Sequence, residues 1–281
     1  MNSLSHEEWK AKNQPLPNWT KFLWDYNLLR NPHPVYYEVD LTNKCQLNCF
    51  GGKCCSYEER QKPIKYMETP IFLDILTSAR VHRCGMVLTG GGEPTLHPAF
   101  EYIVDKCTEA LHKGMENWLN PGLLGLGLVT NGVEVANVNY FMTHINPDDN
   151  AWVRISLNDR KPSDGLVELF HTYPKRIGLS LIYDAQNEAS FGQAARNRKL
   201  LEPVAKFIRM IPFHDLSIPS KIMTPKECYG RKFLKIFGPN GVEQYCCLAR
   251  GKDGEPPKFC PQNCRWEEVN PEDAWKCNPY T

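Results

Sequence analysis

Cys45, Cys49, Cys54 and Cys55 fall together in the stretch KCQLNCFGGKCCSY, between Lys44 and Tyr57. Four thiols so close cannot all be core packing, because one stretch of loop would have to bury every one of them. Thiolates at this spacing can converge on one metal centre, and their softness favours zinc or an iron–sulfur cluster. About forty residues on, VLTGGGEP (Val87 to Pro94) runs from a strand pattern into a glycine-rich turn that carries an acid, Glu93. Glycines 90, 91 and 92 let a backbone approach a ligand more closely than residues with side chains can.

These residues need elements to hold them. Val35 to Leu41 reads as a strand, so the cysteines leave from its carboxyl end. The chain then alternates. The pattern predicts helices over 69–80, 97–111, 135–145, 164–171 and 189–204, and strands over 85–89, 125–130, 152–157, 177–183 and 207–212. Six β–α repeats with crossovers argue for a parallel sheet with helices outside. Ligands bind such sheets beyond the carboxyl ends of the strands. The cysteine loop, GGGEP, TNG (130–132) and SLND (156–159) all fall there. Arg209, on the sixth strand, faces either the barrel mouth or the helices.

On these motifs the chain resembles the radical S-adenosylmethionine (radical SAM) superfamily. Cys45-x3-Cys49 and Gly91-Gly92-Glu93-Pro94 match its pattern, while the third cysteine comes two or three residues late, at Cys54 or Cys55. The resemblance implies an α/β fold, a partial (β/α)6 TIM-like barrel over 35–215. It also implies a 4Fe–4S cluster with one iron free of protein ligands. S-adenosylmethionine would chelate that iron, and its reductive cleavage would release a 5′-deoxyadenosyl radical that abstracts a hydrogen atom. By the same resemblance Glu93 holds the cofactor's amino group beside Gly91 and Gly92. Phe50 offers an adenine contact, and Asn131 and Ser156 are further cofactor contacts. An electron donor such as flavodoxin or ferredoxin is implied as partner.

The cysteine total is 12, and six of them lie from Cys228 onward. Residues 216–281 are rich in Pro, Gly and Cys and read as a small loop-dominated domain that needs a metal to hold it. Cys228, then Gly241-x4-Cys246, resembles the opening of the SPASM and Twitch auxiliary-cluster modules, in which a hairpin presents two thiolates. Two of Cys260, Cys264 and Cys277 would complete the four ligands of one auxiliary 4Fe–4S cluster, with zinc as the rival metal. Cys247 is then spare. A thiol donates a hydrogen atom well to a carbon radical, so Cys247 is the candidate donor in an inversion. Cys84 and Cys107, isolated in apolar segments, read as buried small hydrophobes.

Other classes recede. A formal net charge of +1 over 281 residues gives no bulk reason to expect nucleic-acid or membrane binding. No run of eighteen apolar residues occurs, and the polar start MNSLSHEEWKAKNQ is neither signal nor anchor, so a cytoplasmic protein is expected. Residues 1–34 read as an extension too short for a leader-peptide domain. That favours a small polar substrate, such as an amino sugar, undergoing epimerisation or dehydrogenation. Peptide maturation, and a non-catalytic iron–sulfur or zinc protein, are the alternatives carried forward.

Overall fold

In a computed structural model of the chain, residues 36–52, 60–116, 121–184, 186–212 and 234–244 are described. The first part repeats strand and helix: β1 (Tyr36–Asp40), α1 (Thr69–Val81), β2 (Gly85–Thr89), α2 (Phe100–Glu116), β3 (Gly125–Thr130) and α3 (Val135–His144). It continues through β4 (Ala151–Asn158), α4 (Asp164–Thr172), β5 (Ile177–Tyr183), α5 (Glu188–Leu201) and β6 (Phe207–Pro212). Two short strands follow, β7 (Leu234–Phe237) and β8 (Glu243–Gln244). Single 3-10 turns cover Cys49–Gly52 and Pro94–Leu96.

All eight strands form one sheet, ordered β6-β5-β4-β3-β2-β1-β7-β8. Every pairing is parallel except that of β7 with β8. From β1 to β6, strands consecutive in sequence are neighbours in space, as successive βαβ units place them, whereas β7 joins the far side of β1. With β6 and β8 at the two edges the barrel is open. No helix among the described residues is long and apolar enough to cross a membrane.

The two faces of the sheet differ in chemistry. Val39, Leu88, Leu128, Val153, Ile155, Leu179 and Leu181 join Phe72, Ile103, Val138, Phe141 and Phe170 of the helices in one buried apolar cluster. Because side chains alternate along a strand, the residues between them face the barrel interior. There stand Glu38 and Asp40, Thr89, Arg154, Ser156 and Asn158, Ser180 and Arg209. The flanking Ile208 and Met210 pack on the helical cluster, so the register puts Arg209 on the interior face. At the bottom of that face aromatic rings replace side chains that neighbouring strands lack. A Cβ on Gly127 would lie 2.4 Å from the Trp152 ring, and one on Gly178 2.0 Å from the Phe207 ring.

Local signals account for the element ends. Pro70 sits in the first turn of α1. The Ser163 side chain accepts from Leu166 N, and Asn187 caps α5 through Ala189 N and Ser190 N. Cys84 and Cys107 are fully buried, as expected of packed thiols.

One difference from the sequence reading is substantial. Residues 234–244, assigned there to a loop-dominated appendage, extend the barrel sheet through β7 on β1. Gly241, at φ +75°, makes the turn of the β7–β8 hairpin, and Lys235 Nζ meets Glu243 across it at 3.0 Å. A four-residue strand standing alone is too short for its alternation to show in sequence. The expected extension at 1–34 lies outside the described residues.

Phe141 is wholly buried between the helices and the sheet. Phe141→Ala is expected to cost about 3–5 kcal/mol of stability, read from urea unfolding.

Candidate functional site

The cysteine loop leaves β1 through a stem that is clamped from two sides. On one side Thr42 and Asn43 meet the returning chain: Thr42 Oγ1 donates to Lys65 O (2.7 Å), Asn43 Oδ1 accepts from Lys65 N (2.7 Å), and Asn43 Nδ2 donates to Pro63 O (3.0 Å). On the other side the GGGEP turn binds the same stem, with Gly92 N donating to Thr42 O (3.0 Å) and Glu93 N to Lys44 O (2.7 Å). A Cβ on Gly92 would stand 2.2 Å from Lys44 O. The close approach the structure gives Gly92 is therefore to the backbone of residues 43–44, where the sequence reading had expected only a ligand.

Beyond the stem, Cys45 and Cys49 are both half-buried. Cys45 Sγ accepts from Leu47 N at 3.5 Å and from Asn131 Nδ2 at 3.8 Å. Cys49 Sγ accepts from Asn158 Nδ2 at 3.2 Å. Burial pushes the Cys49 thiol up, while the Asn158 amide and the cations of Arg60 and Arg160 pull it down. Phe50 and Gly51 follow at φ +53° and +65°. A bulky residue pays of order 1–2 kcal/mol for that left-handed conformation, so the surrounding loop holds Phe50 where it is.

Glu93 is 2% exposed and is the bolt between strand ends. Its Oε1 accepts from Thr95 Oγ1 (2.6 Å), Thr130 Oγ1 (2.6 Å) and Thr95 N (3.2 Å), and its Oε2 from Asn131 N (2.7 Å). Burial pushes its pKa up, opposed by the bonds from Thr130, Thr95 and Asn131. The carboxylate thus ties the β2 turn to the TNG turn of β3, and that turn brings the Asn131 amide to Cys45. Gly91 is buried within the same turn.

Sequence reasoning named Asn131, and the structure sets it against Cys45. Ser156 sits one inward-facing position below Asn158 on β4. Three contributors went unnamed. Thr95 and Thr130 are the Glu93 donors. Arg160 donates through Nη2 to Asn131 O, its Nε is buried without a hydrogen-bond partner among the described residues, and burial lowers its pKa. Asn158 is marked in the sequence only by its place in the SLND motif. A signal for Asn158 and Arg160 existed in their place at the carboxyl end of the fourth strand. Cys54, Cys55, Cys228, Cys246, Cys247, Cys260, Cys264 and Cys277 lie outside the described residues, so the third ligand and the auxiliary set are not placed.

Thiols on one loop, each receiving N–H donors as cluster ligands do, fit an iron–sulfur centre. Among the described residues no group of three or more ligating side chains converges.

The architecture is an open parallel partial barrel, the α/β fold that the resemblance implies, and solved radical SAM enzymes share it. SuiB of Streptococcus suis bound to S-adenosylmethionine superposes with a TM-score of 0.54 at 12% identity, covering 95% of this chain and 73% of SuiB. SuiB bound to its precursor peptide SuiA gives 0.53 at 14%, over 94% and 71%. The enzyme anSMEcpe with bound AdoMet and Cp18Cys peptide gives 0.52 at 13%, over 76% and 74%. No protein-family model and no curated protein matches the chain.

Glu93→Ala is expected to strip Thr95, Thr130 and Asn131 of their acceptor and lower the apoprotein's stability by about 2–5 kcal/mol in urea unfolding. A residue that served only the cofactor would leave that stability unchanged. Gly92→Ala is expected to cost about 1–3 kcal/mol as the turn is pushed off the stem, and to lower iron uptake on reconstitution.

Proposed function

We propose that the chain is a radical SAM enzyme in which Cys45, Cys49 and one of Cys54 and Cys55 hold a 4Fe–4S cluster. The observation that carries this reading is the joining of the cysteine loop and the GGGEP turn, through Gly92 N to Thr42 O and Glu93 N to Lys44 O, at one mouth of an open barrel. When bound, the cluster and S-adenosylmethionine supply an electron and a 5′-deoxyadenosyl radical that takes a hydrogen atom from the substrate.

The chain's own residues then orient and shield. Asn131 and Asn158 donate to the thiolate sulfurs and steady their charge. Each oxygen of a carboxylate can accept two bonds, so Oε2 of Glu93, engaged by Asn131 N, retains capacity for the cofactor's ammonium. The backbone of Gly91 and Gly92, the Phe50 ring and the Ser156 hydroxyl complete the cofactor's surroundings. Arg160 fixes the TNG turn through Asn131 O and adds positive charge beside Cys49.

The substrate in this reading is a small polar molecule, bound against the polar interior face and epimerised or dehydrogenated. The cysteine-rich C-terminal residues around the β7–β8 hairpin, which itself belongs to the barrel sheet, carry one auxiliary 4Fe–4S cluster, with Cys228, Cys246, Cys260, Cys264 and Cys277 as its ligand pool. Cys247 is the hydrogen-atom donor if the outcome is inversion. A flavodoxin or ferredoxin supplies the electron, in the cytoplasm. Peptide maturation is the second reading, favoured by the peptides bound in SuiB and anSMEcpe.

Anaerobic reconstitution with iron and sulfide, then dithionite and S-adenosylmethionine, is expected to yield 5′-deoxyadenosine and methionine. Cys45→Ala and Cys49→Ala should each abolish the product. Of Cys54→Ala and Cys55→Ala, only one should do so. Tightly held zinc with no product would overturn the assignment in favour of a binding protein.

A further inference from the structure

Just past the GGGEP turn stands a second buried titratable side chain, His97, which is 6% exposed. Both of its ring nitrogens are engaged. The amide of Ala99 can only donate, so Nδ1, 3.1 Å away, accepts from it. The ring proton therefore sits on Nε2, which donates to Met67 O at 2.9 Å. The Tyr66 ring meets the imidazole edge-on, with centroids 5.7 Å apart.

Met67 belongs to the chain that returns from the cysteine loop. That loop has two feet: 42–44, where it leaves β1, and 63–67, where it comes back. The feet are joined by Thr42 Oγ1 to Lys65 O, Lys65 N to Asn43 Oδ1, Asn43 Nδ2 to Pro63 O, and Met67 N to Leu41 O. Of strand pairing they share one isolated bridge, Thr42 with Tyr66. The outgoing foot is held from the end of β2 by Gly92 N and Glu93 N. His97 holds the returning foot from the same stretch of chain. Residues 92–97 thus grip both feet of the loop that carries the thiols.

The grip depends on the ring being neutral. Burial holds the His97 pKa below the ordinary histidine value, opposed by the bond to Met67 O. Among the described residues no charge acts on it. Lys65, Glu68 and Glu101, on the segments packed around the ring, are exposed. Glu93 is turned to Thr95, Thr130 and Asn131. A protonated ring would set an N–H against the Ala99 N–H and leave a charge in a buried place. Acid therefore expels the imidazole, and the Met67 bond goes with it. Because the folded value is the lowered one, the anchor is complete above the unfolded value of about 6.5. It is lost as pH falls through the folded value.

We infer that His97 is a positioning residue of the cluster site: through Met67 O it fixes the returning foot of the cysteine loop, so that the order of the loop and its hold on iron weaken together in mild acid. This rests on the radical SAM reading for the iron, though not for the anchoring itself. Two amide substitutions separate the two ring nitrogens. His97→Asn keeps an acceptor near the place of Nδ1 for Ala99 N, and falls short of Met67 O. His97→Gln carries an N–H out to the place of Nε2 and can donate to Met67 O.

The first measurement is amide hydrogen exchange in the full-chain apoprotein. His97→Asn is expected to speed exchange at Lys65 and Met67 about tenfold, with Leu128 of β3 unchanged, while His97→Gln stays near the unaltered protein. From about pH 7.5 to about pH 5.5, corrected for intrinsic exchange, the unaltered protein should approach His97→Asn, and His97→Gln should not. The second measurement is iron release to ferrozine from the reconstituted protein, expected to be about tenfold faster in His97→Asn at neutral pH. Unchanged exchange in His97→Asn, equal loss in both variants, or an acid response that His97→Gln retains overturns the anchor. Iron release indifferent to His97→Asn overturns its place in the cluster site. The expected exchange in a protein that forms no cluster would remove the radical SAM reading and leave the anchor standing. Formation of 5′-deoxyadenosine with exchange indifferent to His97 would remove the anchor alone.

Discussion

Everything at the mouth of this barrel depends on a backbone-to-backbone contact in which two turns lie too close for a side chain to come between. The stem of the cysteine loop at 42–44 and the turn at 92–93 exchange two main-chain hydrogen bonds. They approach so closely that only glycine fits at 92. A loop that must present reactive thiols cannot be anchored by burying those thiols. It is anchored one step back, at its stem, where polar main-chain groups find partners and the apolar core lies directly beneath.

From that contact the order propagates sideways. Glu93 continues from the turn into a buried carboxylate whose four donors come from its own 3-10 turn and from the end of β3. A charged or polar group this deep persists only when its bonds are made. The consequence is rigidity where it serves chemistry: Asn131 is held by Glu93 from one side and Arg160 from the other, and its amide reaches Cys45. Cys49 is served in parallel by Asn158 at the end of β4. Two strand ends thus each direct an amide at one of the two described thiols of the loop.

The sheet itself divides the labour. Its outer face is continuous with the helices and supplies the stability of the fold. Its inner face carries arginines, serines, an asparagine and acids, with glycines admitting the rings of Trp152 and Phe207 at the base. A parallel barrel can hold such a polar interior because the outward alternation already buries enough apolar surface. The same division explains why β7, short and two-faced, could join β1 without announcing itself in the chain.

Much was legible from residue order alone, for stated physical reasons. Hydrophobic period and turn residues located six strands and their helices, with β2, β3, β5 and β6 at the bounds observed, because those signals are local. Thiol spacing and the GGGEP turn pointed to the carboxyl-end mouth for the same reason: strand, loop and motif are contiguous. What only the tertiary structure decided involves partners far apart in the chain. Glu93 and Thr130, Asn158 and Cys49, Arg160 and Asn131, and the interior row of Ser156, Ser180 and Arg209 meet through strand register. That register is set by the packing of the whole outer face, and no local pattern encodes it.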